Sequence, residues 1–128
     1  MPDNKILIST GTLSMEATLL EGPASSQFKN LLPLAGSANI WGDEIYFAVD
    51  IEMDLLENAT DVVESGAVAF WPPGHAVCIF FGPTPASINT EIRAASPVNV
   101  LGRIDGDETR FKSVRAGDQV KIEIWKGC

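Results

Sequence analysis

Residues 67–85 read AVAFWPPGHAVCIFFGPTP and carry the strongest structural signal in the chain. Its centre, Ala76–Phe81, is apolar at every position, so a strand formed there has no face that suits water. Turn-forming residues interrupt the chain on both sides, at Pro72–Gly74 and at Gly82-Pro83. We therefore predict a central strand that is covered on both faces and lies between two rigid turns.

The segments on either side follow a two-residue period. Apolar residues alternate with polar or small ones in Leu13–Leu19, Ile45–Asp54 and Val120–Trp125. Alternation of this kind is typical of a strand with one buried face and one face toward water or a ligand. Four further apolar segments complete the set of predicted strands: Lys5–Ser9, Ala67–Trp71, Ala76–Phe81 and Val98–Ile104.

One helix is predicted, over Ala24–Leu32. Pro23 suits the first turn, where its missing N–H is not needed, and Pro33 ends the helix. Its apolar stripe consists of Ala24, Phe28, Leu31 and Leu32. About eight short strands with one or two short helices predict a mainly β fold, either a closed barrel or a sandwich. We favour the closed barrel, because closure removes exposed strand edges.

The length of 128 residues suits a single domain over 1–128, with an ordered core from about residue 4 to 126. Seventeen acidic residues against nine basic ones give a net charge of −8. This charge argues against a nucleic-acid partner, since phosphate contacts need clustered Lys and Arg. We see neither a signal peptide in Met1–Lys5 nor the roughly 18 apolar residues of a membrane helix. A cytoplasmic protein with no membrane partner is therefore predicted.

The residues needed for several kinds of chemistry are missing. His75 is the only histidine, and Cys78 and Cys128 are the only cysteines, so we expect neither a zinc site nor a disulfide framework. There is no glycine-rich phosphate loop and no nucleophile elbow. Cys78 and His75 lie three residues apart without an activating cation, and Cys78 is interpreted as a small buried hydrophobe. No cofactor, no metal and no catalytic residue is assigned.

Acidic residues concentrate in Asp43–Glu64, which contains no Lys or Arg. We interpret Asp50, Glu52 and Asp54 as a solvated strand face, since they alternate with apolar residues. The alternatives are a calcium site or an interaction surface. The partner of such a surface would be a basic protein or a second copy of the chain in a homodimer.

Aromatic, proline and glycine residues gather at the two turns that flank the central strand. Stiff turns and large rings with a polar edge can build a concave site for a small molecule or a peptide. The alternative is that these rings only fill the centre of a small barrel. The ligand-binding residues that we predict are Trp41, Tyr46, Trp71, His75, Phe81 and Thr84, with Arg103 as an anchor for an anionic or carbonyl group.

Four segments of the chain resemble the small stand-alone cyclophilin-like proteins of prokaryotes. They are WGDEIYF at 41–47, VESGAVAFWPPG at 63–74, CIFFGPTP at 78–85 and NVLGRI at 99–104. The strand and short helix in Ala17–Leu32 fit the same pattern. The resemblance implies a closed β-barrel of cyclophilin type with one or two flanking helices, and it transfers a fold more than a function.

Three hypotheses for the function remain after this comparison. The first is a binding barrel for a small molecule or a peptide. The second is an enzyme on the same barrel, above all a prolyl isomerase. The true cyclophilins carry a Phe-His-Arg segment and a Phe-Met-x-Gln segment, and neither occurs in this chain. The third is an interaction module that uses the acidic stretch.

Overall fold

The computed structural model describes residues 4–11, 13–56 and 59–125. The described residues do not include Met1, Glu57 of the acidic stretch or Cys128. The described chain is mainly β, with ten strands, one α-helix (α1) and the 3-10 segments Pro72–Gly74 and Glu108–Ser113. In chain order, the elements are β1 Lys5–Thr10, β2 Leu13–Leu19, α1 Pro23–Asn30, β3 Leu34–Ser37, β4 Asn39–Ile40, β5 Glu44–Ala48, β6 Thr60–Val63, β7 Ala67–Trp71, β8 Ala76–Phe80, β9 Ile92–Ile104 and β10 Gln119–Ile124.

The predicted closed barrel of about eight strands is wrong in its closure and in its strand number. Nine strands follow one hydrogen-bonded path, β3-β10-β1-β2-β9-β7-β8-β5-β4, and β6 pairs with β9 off this path. The path ends at β3 and β4, which pair with β10 and β5 and are separated by Ala38 alone. The two ends of the sheet are therefore joined by the chain rather than by a ladder of hydrogen bonds.

The two ends of the path nevertheless approach each other closely. A Cβ built on Gly36 of β3 would lie 2.8 Å from the ring of Phe47 and 3.0 Å from the carbonyl oxygen of Ala48, both on β5. Only a residue without a side chain fits at this distance. The sheet is thus strongly curved, and it remains open among the described residues.

The central strand is confirmed, and so is its burial on both faces. All of β8 is buried, and its side chains alternate between two hydrophobic cores. Val77 and Ile79 belong to the main core, whereas Cys78 and Phe80 belong to a second, smaller core. The apolar run in the sequence therefore reflects a strand that separates two cores.

The neighbouring strand β7 is divided in the same way. Val68 and Phe70 face the main core, while Ala67 and Ala69 face the second core. The second core also receives Val63 from β6 and Ala94 from β9. Since β6 pairs with β9, these two strands cover the side of β7 and β8 that would otherwise meet water.

The predicted strand Ile45–Asp54 is too long. Regular pairing ends at Ala48, although Ile51 and Met53 remain buried at 4% and 7% exposure. Beyond β5, the backbone N–H of Val49 still donates to the carbonyl of His75 at 2.8 Å, and further along the Asn99 side-chain amide donates to the carbonyl of Asp54 at 2.9 Å. The alternating burial is genuine, but alternation alone does not show whether a neighbouring strand supplies the hydrogen bonds.

Other boundaries differ because short or irregular segments carry a weak pattern. The helix ends at Asn30, and Leu31 of the predicted stripe is 42% exposed. The strand predicted at Val98–Ile104 begins earlier, at Ile92. No alternation marks β3, β4 or β6, and these three strands were not predicted. Neither α1 nor the 3-10 segments are long and apolar enough to span a bilayer.

Gly102 of β9 provides a test of this packing. It pairs with Leu19 of β2 and Val68 of β7, and an added Cβ would lie 2.4 Å from the carbonyl oxygen of Thr18. We predict that Gly102→Ala lowers the free energy of unfolding by about 1–3 kcal/mol or more, because an added methyl group overpacks a site that has no room for it. Urea denaturation measures this change.

The matched control is Gly106→Ala, whose added Cβ would meet only the terminal methyl of Met15, at 3.0 Å. The end of a flexible side chain can move, so this variant should unfold near the wild-type midpoint. Equal midpoints for the two variants would contradict the close approach of β2 and β9.

Candidate functional site

A cavity of about 260 Å³ opens on the side of the sheet that carries the second core. We call it the aromatic pocket. Three of its lining residues are the large rings Trp41, Tyr46 and Trp71. Small and aliphatic residues of β9 complete the apolar part of the wall: Ala94, Ala95 and Val98. The remaining lining residues, Glu44 and Cys78, bring polar atoms into this surface.

Trp71 is held in place from two sides. Its indole Nε1 donates a hydrogen bond to the hydroxyl of Ser96 at 2.6 Å, which ties the end of β7 to β9. Behind the ring lies Gly74, where an added Cβ would be 2.5 Å from the ring atom Cζ3. The turn Pro72–Gly74 therefore contributes to the pocket indirectly, since it leaves room for the indole.

Trp41 lies on the tight turn between β4 and β5. The backbone N–H of Trp41 donates to the backbone carbonyl of Glu44 at 2.9 Å, and the backbone N–H of Glu44 donates to the carbonyl of Trp41 at 3.2 Å. Gly42 in this turn has a φ of 62°, a left-handed conformation that favours glycine. A Cβ there would also lie 2.8 Å from Pro85. The turn and the loop after β8 thus brace each other.

Tyr46 and Glu44 share one face of β5. The opposite face carries Ile45 and Phe47, which are fully buried in the main core. In the ladder between β5 and β8, Tyr46 pairs with Cys78. The two-residue period of β5 therefore directs Glu44 and Tyr46 to the pocket side.

Glu44 is the unusual residue of the pocket. It is 5% exposed, and its Oε1 atom is buried without a hydrogen-bond partner among the described residues. Burial raises the pKa of this carboxyl to about 7, and hydrogen bonding by the Cys78 thiol lowers it in part. Burial, reinforced by the neighbouring Glu44 carboxylate, raises the pKa of the Cys78 thiol well above its ordinary value. Near neutral pH the pocket thus holds a neutral thiol and a carboxyl that can gain or lose its proton.

The structure brings together three of the seven predicted ligand-binding residues, Trp41, Tyr46 and Trp71. It places Phe81 on the other side of the sheet, in the main core, where the ring centroids of Phe81 and Phe111 are 6.2 Å apart. Phe81 continues the alternation of Val77 and Ile79, so it follows their face. A ligand role for the three grouped rings remains a prediction.

His75 and Thr84 organise the backbone outside the aromatic pocket. His75 is exposed, with a left-handed φ of 47°, and its Nδ1 lies 2.9 Å from the carbonyl oxygen of Ile51. Thr84 is buried, and its hydroxyl donates to the carbonyl of Arg93. Each of these contacts links its residue to the backbone of a segment further along or back in the chain.

Arg103 lies in a different part of the molecule from the aromatic rings. It is exposed and lines a second cavity of about 350 Å³ together with Glu64 and Val62. This cavity shares no lining residue with the aromatic pocket. The long strand β9 reaches both cavities, with Ala94–Val98 at the first and Arg103 at the second.

Sequence reasoning missed Glu44 and the small residues of β9. Glu44 belongs to the acidic stretch Asp43–Glu64, but it is buried, whereas Asp50, Glu52 and Asp54 are exposed as predicted. A signal was nevertheless present, because Glu44 and Tyr46 are two residues apart on a strand and must share a face. No comparable signal marks Ala94 and Ala95. Among the described residues, no group of three or more His, Cys, Asp or Glu side chains could hold a metal ion.

The buried carboxyl predicts a pH-dependent stability. Its pKa is raised in the folded protein from 4.5 to about 7, so between these values the folded state holds a proton that the unfolded chain has released. The free energy of unfolding should therefore fall as the pH rises through this window, by about 3 kcal/mol in total. In Glu44→Gln this decrease should disappear.

Urea denaturation at several pH values measures the pH dependence of the free energy of unfolding. The control is Glu52→Gln, which changes an exposed carboxyl. A pH profile of Glu44→Gln that equals the wild-type profile would contradict the raised pKa of Glu44.

Gly74 predicts a specific effect on Trp71. In Gly74→Ala the new Cβ competes with the indole ring for the same space, so we expect the ring to move and its bond to Ser96 to break. The change should alter tryptophan emission and near-ultraviolet circular dichroism, and overpacking should cost about 1–3 kcal/mol. Ser96→Ala removes the hydrogen bond without crowding the ring. A Gly74→Ala spectrum identical to that of the wild type would refute this contact.

Comparison with known proteins agrees with the fold described above. The model of the cyclophilin-like family matches residues 4–123. The solution structure of a hypothetical protein from Archaeoglobus fulgidus is similar, with a TM-score of 0.80 and 40% sequence identity, over 96% of this chain and 95% of that chain. The comparison with curated proteins gave no match. The resemblance noted in the sequence is thereby confirmed: the chain belongs to the cyclophilin-like family.

Proposed function

We propose that this protein binds a small organic molecule, or one side chain of a peptide, in the aromatic pocket. The observation that carries the proposal is a cavity of about 260 Å³ lined by three large rings and by a buried carboxyl, one oxygen of which has no partner among the described residues. Ligand sites are typically concave, mostly apolar and provided with a few fixed polar groups. The aromatic pocket has each of these properties.

The distribution of aromatic residues supports this proposal. All six phenylalanines are at most 4% exposed and fill the two cores. Trp41, Tyr46 and Trp71 are instead half-buried at the cavity. Tyr and Trp combine an apolar ring with a polar edge, which suits a surface that is dry on one side and wet on the other. Tyr46 and Trp71 pack against the second core with part of their surface, and the part that lines the cavity remains available to a ligand.

The size of the pocket restricts the ligand. Sites for drug-sized molecules typically measure about 300–1,000 Å³, and the aromatic pocket lies just below this range. It suits a small metabolite or a single side chain better than a dinucleotide cofactor. The wall is shaped by backbone hydrogen bonds and by close packing at Gly42 and Gly74, so we expect the pocket to be formed before the ligand binds.

The composition of the wall favours binding without turnover. Prolyl isomerisation must lower a rotational barrier of about 18–20 kcal/mol, for which a placed donor is needed. Arg103, predicted from the sequence as an anchor for an anionic or carbonyl group, lines the second cavity. The lining of the aromatic pocket includes neither Arg, Lys nor His among the described residues. We therefore place binding before catalysis.

Tryptophan fluorescence provides the direct test. The chain has three tryptophans, and Trp125 is not among the lining residues of the pocket, so Trp125→Phe leaves Trp41 and Trp71 as reporters. Titration of small metabolites and proline peptides into Trp125→Phe should give a saturable change for at least one compound. In Trp71→Ala the affinity for that compound should fall about tenfold or more.

Trp41→Ala is a second variant, because Trp41 lies on a turn and belongs to neither core. Circular dichroism should confirm that each variant is folded. Absence of a saturable signal for every compound in the folded Trp125→Phe protein would refute ligand binding. An affinity that neither Trp71→Ala nor Trp41→Ala changes would place the ligand elsewhere.

A further inference from the structure

We infer that the ligand of the aromatic pocket carries an organic ammonium group, for which Glu44 is the counter-ion and Trp41, Tyr46 and Trp71 are the walls. This inference rests on the proposed binding function and names the chemical class of its ligand. The shared chemistry is a positively charged nitrogen with apolar substituents. Either a free amine or the side chain of a modified lysine could supply it.

The first argument is the missing partner of Glu44. A carboxyl that is 5% exposed is usually paired with a basic group or fully hydrogen-bonded. Here the Oε1 atom has no partner, and no basic side chain lines the pocket among the described residues. Arg93 lies on the same strand as Ala94, but its guanidinium is bonded to Glu91 at 2.6 Å and to Asp61 at 2.5 Å. No basic side chain of the described residues is therefore available to the Glu44 carboxylate, and a bound cation would supply its counter-charge.

The second argument is the chemistry of the walls. The faces of Trp and Tyr rings attract cations through their quadrupole, and aromatic cages of this kind recognise quaternary ammonium ligands. Ala94, Ala95 and Val98 offer apolar contacts for the alkyl groups of such a ligand. A bare metal ion would need several oxygen ligands, whereas this lining contains one carboxylate. The lining therefore matches an alkylated ammonium better than a hard cation.

The third argument is the charge of the whole molecule. Its net charge is −8, and a negative field raises the local concentration of cations at the surface. An anionic ligand would be repelled both by this field and by the Glu44 carboxylate. Long-range and local electrostatics therefore select the same sign of ligand.

A permanently charged ligand should bind with a defined pH dependence. Besides Glu44, the titratable groups that line the pocket are Tyr46 on β5 and Cys78 on β8; β7, β9 and the turn before β5 contribute Trp and aliphatic residues. Asp43, next to Glu44 in the chain, packs instead against Gly82. Since the Glu44 carboxyl has a pKa of about 7, affinity should rise as the pH increases toward about 8 and fall below about 6.

The experiment compares choline with its neutral carbon isostere, in which a tert-butyl group replaces the trimethylammonium group. Both are titrated into Trp125→Phe while fluorescence is followed. We expect choline to bind about tenfold or more tightly than the isostere at about pH 8, and to lose this advantage at about pH 5. In Glu44→Gln in the same background, choline should bind as weakly as the isostere at both pH values.

The outcomes separate this inference from the proposed function. If the isostere binds as well as choline, or if Glu44→Gln leaves choline affinity unchanged, the ammonium assignment is wrong while the pocket remains a binding site. If choline, its isostere and the trimethyllysine peptide described below all fail to bind, the ammonium assignment is wrong, and the titration of the wider library decides the proposed function by itself. The pH dependence of the unsubstituted protein provides a measurement that does not require the Glu44→Gln variant to fold.

A peptide arm distinguishes the two sources of the ammonium group. A short peptide with trimethyllysine is compared with the same peptide containing unmodified lysine and with free choline. Tighter binding of the trimethyllysine peptide than of choline indicates that the group is presented on a chain, and the reverse order indicates a free amine. Equal and negligible binding of all three would overturn the inference.

Discussion

The structure depends on the requirement that β7 and β8 be covered on both faces. Consecutive residues of these strands are apolar, so each strand presents hydrophobic side chains to both sides of the sheet. A simple sheet with one core would leave Cys78 and Phe80 in water. The cost of exposing such apolar area is large compared with the marginal stability of a domain. The chain therefore builds a second core, and β6 and β9 cover it.

This second core explains the location of the pocket. It is much smaller than the main core, and at its edge the covering residues are small, notably Ala94 and Ala95. Small side chains on β9 opposite large rings on β5 and β7 leave a concave space. The same face of β5 that completes the second core also places Glu44 there. A concavity with a buried acid is thus a consequence of how the two sides of the sheet are filled.

Membership in the cyclophilin-like family fixes the fold more firmly than the activity. Of the predicted ligand-binding residues, Trp41, Tyr46 and Trp71 line the aromatic pocket, whereas Arg103 does not. Arg103 pairs with Ala67 at the start of β7, whereas Trp71 is the last residue of that strand, and the two side chains line separate cavities. The proposal of a binding function for an ammonium ligand therefore comes from the geometry around Glu44 and not from the family.

The residue pattern was enough to predict the central strand and the segments whose side chains alternate, because burial on one or two faces is a local property of a strand. Leu13–Leu19 and the apolar run in β8 are examples. The tertiary structure alone decided that the sheet stays open between β3 and β4 and that Phe81 and Arg103 lie away from the aromatic rings. It also decided that Glu44 is buried beside them. These features depend on contacts between residues distant in the chain, such as Trp71 with Ser96 and Gly36 with Phe47, and no local pattern records which distant residue completes a surface.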